Sequence, residues 1–272
     1  MKDLKGKVIA VTGAGSGIGR ALALRLDREG SFLALADRDA RGLAETCEAL
    51  KGTDGCARFV VDVSIREQVY AFASGVVNAF GRVDAVINNA GVSSSGFVHE
   101  LTYETLEWTI NANLWGVIHG TKAFLPHLVE RPEANIVNVS SVYGLVGWPG
   151  QAAYCASKFA VWGFTEALRQ ELRGSSVAVT VVFPGGVRTN IAKNSRTDHR
   201  IDRQTFEEGV KRMEATWKTS PVEAADAIVS GMRRNAPRVL IGKDARRIDV
   251  LARIRPASYD RVIEGYVRGP GS

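Results

Sequence analysis

Tyr154 and Lys158, in the run Tyr154-Cys155-Ala156-Ser157-Lys158, are the pair in this chain best placed to move a proton. On a helix, side chains at i and i+4 share one face. A free tyrosine titrates at about 10 and is a poor acid–base group at neutral pH. A neighbouring ammonium favours the phenolate, so Lys158 is expected to lower the Tyr154 pKa toward the working range. The spacing alone is common by chance, and it gains meaning from what precedes it. Ile136–Val139 reads as a buried strand that runs into Ser140-Ser141, two hydroxyls able to donate to a substrate oxygen. A glycine-punctuated loop, Gly144–Gly150, carries Trp148 and leads into Tyr154.

A second cluster lies near the start of the chain. The apolar run Val8–Val11 is followed by Thr12-Gly13-Ala14-Gly15-Ser16-Gly17-Ile18-Gly19. Glycines let the chain turn sharply and approach a ligand closely, and the next helix then aims its unpaired N–H groups at a pyrophosphate. A glycine-rich loop is a weak signal alone; between a strand and a helix it has the context it needs. Asp37 ends the second apolar run, 18 residues after Gly19. A carboxylate there accepts from the ribose diol of NAD and repels a 2′-phosphate. Arg38, next to it, could instead pair with that phosphate. NAD is favoured over NADP, and the plain capping of the following helix by Asp37 stays open.

These residues need a scaffold, and the pattern supplies one. Apolar runs at Val8–Thr12, Phe32–Ala36, Arg58–Val61, Ala85–Asn88, Ile136–Val139, Val177–Val182 and Val239–Ile241 alternate with helical periodicity at Ile18–Glu29, Ala40–Leu50 and Arg66–Phe80. Continuous apolar strands between amphipathic helices predict a single α/β domain: a doubly wound, Rossmann-like parallel sheet with helices on both faces. In such sheets ligands sit at the carboxyl ends of the strands, where the clusters above fall.

In combination these residues resemble the short-chain dehydrogenase/reductase family. The resemblance is carried by Thr12–Gly19, Asp62-Val63, Asn88-Asn89-Ala90-Gly91, Asn113, Ser141, Tyr154, Lys158 and Pro184-Gly185-Gly186-Val187-Arg188-Thr189, in the family's order and spacing over roughly residues 5–190. It implies an NAD(P)-dependent oxidoreductase acting on a secondary alcohol or ketone. Tyr154 would be the general acid/base. Ser141 would hold the reacting oxygen, with Ser140 the lesser candidate. Lys158 would bind the nicotinamide ribose and tune Tyr154, and Asn113, rather than Asn111, would support a water relay. Gly13, Ser16, Gly17, Ile18 and Gly19 would cradle the pyrophosphate, and Asp62 with Val63 the adenine. Asn89, Ala90 and Gly91 would line the middle of the cofactor, and Pro184, Gly185, Val187 and Thr189 its nicotinamide end. The resemblance also implies a dimer or tetramer built through helices at Leu101–Leu125 and Tyr154–Arg173, and a lid over residues 190–219.

Within that lid, Phe206, Val210, Met213 and Trp217 follow helical spacing, and Ser220-Pro221 reads as the cap of the next helix. With Trp148 and Phe97 they favour an apolar or cyclic substrate. The stretch from Gly242 to Ser272 is basic through Arg246, Arg247, Arg253, Arg255 and Arg261. It is read as an oligomer contact, with Gly269–Ser272 flexible.

Bulk properties narrow the alternatives. The net charge is +6, and from Arg188 onward 18 lysines and arginines face 11 acidic residues. The signs are interspersed, so nucleic-acid binding is not expected. No run approaches a membrane span and none reads as a signal peptide, which predicts a cytoplasmic protein. Three cysteines without metal spacing predict reduced thiols, and four scattered histidines predict no metal. Competing readings are an NAD(P)-binding redox sensor without turnover, a carrier-bound 3-oxoacyl reductase and an epimerase or dehydratase of the longer relatives, whose glycine spacing this chain lacks.

Overall fold

The computed structural model describes residues 1–52, 55–198 and 203–261, with the side chains of 203–207, 212 and 213 excepted. His199 and Gly269–Ser272, and the Phe206 and Met213 side chains, lie outside that description. Seven parallel strands form the central sheet: β1 Val8–Thr12, β2 Phe32–Asp37, β3 Cys56–Val60, β4 Ala85–Asn88, β6 Ala134–Val139, β7 Val177–Pro184 and β9 Arg238–Ile241. Their order is β3-β2-β1-β4-β6-β7-β9. The order reverses between β1 and β4, which opens a crevice above their carboxyl ends.

β1 and β2 read as near-continuous apolar runs because both faces of the sheet are covered there. In β1, Ile9 and Val11 face Leu22 and Leu26 of α1 (Gly17–Asp27) and Ile228 and Met232 of α8 (Pro221–Arg233). Val8 and Ala10 face the other way, toward Phe72 and Val76 of α3 (Arg66–Phe80) and Phe124 and Leu128 of α5 (Gly116–Leu128). Ser220 and Glu223 form a reciprocal capping box on α8, with Pro221 in its first turn, as the sequence suggested. α2 (Ala40–Glu48) starts at Asp39, whose carboxylate caps it, so the cap is not Asp37. Cys47 on α2 faces Cys56 on β3 with the sulfurs 3.2 Å apart, both as free thiols, a proximity the spacing did not disclose.

The expected helix over Leu101–Leu125 begins later and is interrupted. Thr102 caps α4 (Tyr103–Ile110), a π-helical turn occupies Asn111–Trp115, and α5 continues the rod. A π-turn inserts one residue per turn and rotates the side chains that follow. Here Asn113 points fully inward while Asn111 stays exposed. A second, two-stranded parallel sheet, β5 Ser94–Ser95 with β8 Arg196–Thr197, was not foreseen; such short runs carry no periodicity. The remaining helices are α6 Ala152–Glu171, α7 Arg203–Thr216 and α9 Lys243–Ile254. Among the described residues no helix is long and apolar enough to cross a membrane.

Candidate active site

The turn after β1 is built by backbone crowding. Gly13 and Gly17 take φ of +67° and +53°, conformations a side chain would strain. A Cβ at Gly19 would overlap the carbonyl oxygen of Gly13, and one at Gly13 would lie 2.8 Å from the Ala90 Cα. Thr12 Oγ1 accepts from the N–H groups of Asn89 (3.0 Å) and Ala90 (3.1 Å), and the Asn89 amide donates to the Thr12 carbonyl at 2.9 Å. The Asn89-Ala90-Gly91 turn is thereby locked against the glycine turn. Ser16 precedes α1 without capping it through its side chain. The first N–H groups of α1 therefore stay available to an anion. An open cavity of about 310 Å³ borders this turn on its outer side, lined by Gly17, Arg20, Arg188 and Thr189, away from Tyr154.

Asp37 accepts from the Gly15 N–H at 2.8 Å and from the Asp39 N–H at 3.0 Å, so it shapes the turn and presents its carboxylate beside it. Arg38 is exposed. Asp62 accepts from the N–H and hydroxyl of Ser64, at 2.9 and 2.6 Å, and Val63 packs where a Cβ at Gly116 would stand. These residues fit a dinucleotide: a glycine cradle, open helix N–H donors and carboxylates at the two adenosine-side positions. A nicotinamide cofactor would be held by Gly13, Ser16, Gly17, Ile18 and Gly19 at its phosphates, and by Pro184, Gly185, Val187 and Thr189 at its far end. Val187 is buried in a bridge to Thr219, and Thr189 packs against Gly17.

At the carboxyl end of β6 the catalytic candidates meet. Tyr154 and Lys158 sit one turn apart near the start of α6, both buried. The Ser141 side chain lies beside the Tyr154 phenol and acts to lower its pKa, and its hydroxyl accepts from the Tyr143 N–H at 3.2 Å. Ser140 instead donates to the Lys158 carbonyl at 2.8 Å, which occupies it structurally. Lys158 Nζ donates to the Val139 carbonyl at 3.1 Å and lies 5.7 Å from the Tyr154 ring centroid. Asn113 donates to the Val92 carbonyl and the Ser157 hydroxyl, both at 3.0 Å, and accepts from the Val92 N–H at 2.8 Å. A Cβ at Gly91 would stand 3.0 Å from Asn113 Oδ1 and 3.3 Å from Lys158 Nζ.

The titration of this cluster departs from the sequence expectation. Burial pushes the Tyr154 phenol up to about 12, against which the Ser141 hydrogen bond pulls down. Burial also lowers the Lys158 ammonium to about 8. Lys158 does not bring Tyr154 down because its charge sits under the ring, held by a carbonyl, while desolvation acts on the hydroxyl directly. A phenol raised in this way stays protonated through the neutral range.

On the substrate side the sequence reading missed Tyr143. Its ring stacks on Trp148 with centroids 5.4 Å apart and stands edge-on to Tyr154 at 6.0 Å. Its place two residues after Ser141 was the available signal. Phe97, expected to line the pocket, is 50% exposed and stacks on His99. Val210 is buried, whereas Trp217 falls beyond α7 and covers Gly186. Residues 191–198 are pinned rather than loose. β8 pairs with β5, Arg196 stacks 4.1 Å over Trp108, and Asp198 accepts from the Thr102 N–H at 2.9 Å. Among the described residues no three histidine, cysteine or acidic side chains converge as a metal site.

Comparison with known proteins agrees with this geometry. The profile described as short chain dehydrogenase matches residues 7–200. A Mycobacterium tuberculosis protein named as an oxidoreductase, SadH, is 46% identical over 266 residues, covering 97% of this chain and 96% of its own. The 3-oxoacyl-[acyl-carrier-protein] reductase FabG of Thermotoga maritima is 33% identical over 227 residues, covering 83% of this chain and 90% of its own. A crystal structure of a short chain dehydrogenase/reductase from Burkholderia phymatum in complex with NAD superposes with a TM-score of 0.85 at 32% identity, covering 93% of this chain and 95% of that one. A phosphate-cradling turn after β1, a buried Ser-Tyr-Lys cluster after β6 and these relatives have one common explanation: the chain belongs to the short-chain dehydrogenase/reductase family of oxidoreductases.

Proposed function

We propose that this protein interconverts a secondary alcohol and a ketone with a nicotinamide cofactor, using Tyr154 as general acid/base. The observation that carries this reading is the buried Tyr154 phenol beside Ser141, one helical turn from a buried Lys158. The nicotinamide ring supplies or takes up the hydride. In reduction, Tyr154 gives its proton to the carbonyl oxygen as that oxygen gains charge. Ser141 donates to the same oxygen, and the Lys158 ammonium stabilises the phenolate left behind. Asn113 positions this machinery by tying the Val92 backbone to the Ser157 turn. The Tyr143–Trp148 stack offers a flat apolar wall, which favours a cyclic or otherwise lipophilic substrate. A panel of secondary alcohols and ketones, followed by nicotinamide absorbance with both cofactors, tests the reading. Turnover of none of them would overturn it.

The protonation states predict the pH dependence. Reduction needs Tyr154 protonated and Lys158 charged, so kcat/KM for a ketone is expected to be flat between about pH 6 and 7.5 and to fall above about 8, as Lys158 discharges. Alcohol oxidation needs the phenolate and rises with pH over the neutral range. Profiles in both directions check this, and a reduction rate that climbs with pH would contradict it.

NAD is the cofactor this reading favours, because the Asp37 carboxylate is held beside the turn by the Gly15 and Asp39 N–H groups. Asp37→Ser is expected to move the ratio of kcat/KM for NAD over NADP by about 100-fold toward NADP, since a 2′-phosphate then meets no negative charge. Kinetics with both cofactors measure it; an unmoved ratio would assign preference to another residue, Arg38 first. A cytoplasmic homo-oligomer fits the same reading, with the π-helical turn and α6 leaving Trp115 and Phe159 exposed for a second copy. The carrier-bound reductase remains a second reading, favoured by Arg246, Arg247 and Arg255, which form no ion pair among the described residues and could receive an acidic carrier. Reduction of thioester-linked 3-oxoacyl substrates but not free ketones would select it.

A further inference from the structure

We propose that Asp244 is a specificity-determining residue of the substrate cleft, a fixed carboxylate that discriminates against anionic substrates; this deepens the alcohol/ketone reading and rests on it. Asp244 lies in the first turn of α9, outside the segment matched by the family profile. Its Oδ2 accepts from the Gly186 N–H at 2.7 Å, across 58 residues of sequence. Two glycines make room around it, and a third makes room for the adjoining Trp217. A Cβ at Gly185 or at Gly242 would overlap the Asp244 carboxylate, and a Cβ at Gly186 would overlap the Trp217 ring. Gly242 also takes φ +95°, the turn that aims α9 at the loop. Gly185 and Gly186 have no positive φ, so what they supply is space.

α9 packs against the Val142–Gly144 turn that carries Tyr143. Gly186 belongs to the Pro184–Thr189 loop assigned above to the nicotinamide end of the cofactor. On the other side, the Asp244 charge contributes to raising the Tyr143 phenol, behind burial and the nearer Cys155 and Tyr154. Tyr143 is the ring edge-on to Tyr154. Past α9 the chain returns to the aromatic loop, where the Tyr259 hydroxyl accepts from the Gly147 N–H at 3.2 Å. The two contacts tie the C-terminal stretch to the Pro184–Thr189 loop and to the Gly144–Gly150 loop. Among the described residues only Oδ2 of Asp244 has a hydrogen-bond partner, and no lysine or arginine there pairs with the carboxylate. An unpaired negative charge beside the cleft repels a second one, which sets specificity by exclusion. The carboxylate is solvent-facing, so the effect is screened and modest.

The plainer role is a loop clamp, and the test separates the two. Asp244→Asn keeps an oxygen for the Gly186 N–H and removes the charge, whereas Asp244→Ala removes both. The probes are 4-oxocyclohexane-1-carboxylate and its methyl ester. In a Tyr154→Phe background, where turnover no longer consumes the NADH, their dissociation constants from the protein–NADH complex are read by quenching of nicotinamide fluorescence, with Asp244 as the wild-type residue. The wild-type protein is expected to bind the ester about tenfold tighter than the acid, or about 1.4 kcal/mol. High salt should shrink that ratio. Asp244→Asn is expected to bring it to about twofold by tightening the acid alone, and Asp244→Ala to weaken both ligands. No ester preference in the wild type, no ester binding, or a ratio unmoved by Asp244→Asn would overturn the proposal. Turnover is scored separately: NADH oxidation with neither ketone counts against the Tyr154 chemistry, while normal turnover with an unmoved ratio counts against Asp244 alone.

Discussion

Tyr154→Phe is expected to lower kcat by about 10²–10⁴-fold, the range over which a positioned proton donor contributes, with cofactor affinity unchanged. The phenol is the group in the cluster able to deliver a proton. Ser140 is committed to the Lys158 carbonyl, and Ser141, at its ordinary acidity, can stabilise a developing alkoxide but not protonate it. Phenylalanine preserves the ring that packs on Tyr143 and above Lys158, so the fold should hold. Losing the hydroxyl removes one hydrogen bond, of about 1 kcal/mol, and with it the cost of burying a polar group. Residual turnover should come from Ser141 and from the orientation of the reactants. Steady-state rates paired with a cofactor titration measure both halves. A variant within tenfold of the wild-type kcat would remove Tyr154 from the mechanism.

Gly19→Ala should fail at the opposite end of the site. The added methyl would collide with the Gly13 carbonyl, which cannot rotate away. Gly13 is held in turn by its positive φ, by the Asn89 amide at 3.3 Å and by the backbone of Ala90. The turn must open, and the N–H groups at the start of α1 then swing off the line of a pyrophosphate. Overpacking of this kind costs about 1–3 kcal/mol, which for a chain of this length is a Tm loss of roughly 2–4 °C per kcal/mol. Cofactor affinity is expected to drop about 100-fold, or about 2.7 kcal/mol. Gly163→Ala is the control. Gly163 sits within α6, with no atom within 4 Å of its would-be Cβ, so alanine there should leave stability unchanged or raise it by about 0.5–1 kcal/mol. Thermal melts and cofactor titration of the two variants separate a cradle from an ordinary turn. Wild-type affinity in Gly19→Ala would refute the cradle.

The α/β alternation was legible because strands buried on both faces leave near-continuous apolar runs, as in β1 and β2. The glycine turn, Asp37 and the Ser141–Tyr154–Lys158 set were legible for a related reason. Each depends on local geometry, a strand end or one helical turn, and local geometry shows in spacing. The interruption of the α4–α5 rod at Asn113 was not, since a π-turn changes no residue type. Neither was the pinning of residues 191–198, where Asp198 reaches Thr102 across the fold.

What the sequence determined by itself was the alternation of strands and helices and which side chains stand at the strands' carboxyl ends. Tertiary structure alone decided how those side chains behave. It raised the Tyr154 phenol where the sequence suggested lowering, because desolvation is the sum of all surrounding atoms and Lys158 was drawn to the Val139 carbonyl. It also brought Asp244 to Gly186 and Tyr259 to Gly147, contacts between residues far apart in the chain that only the packing of α9 against the sheet edge creates.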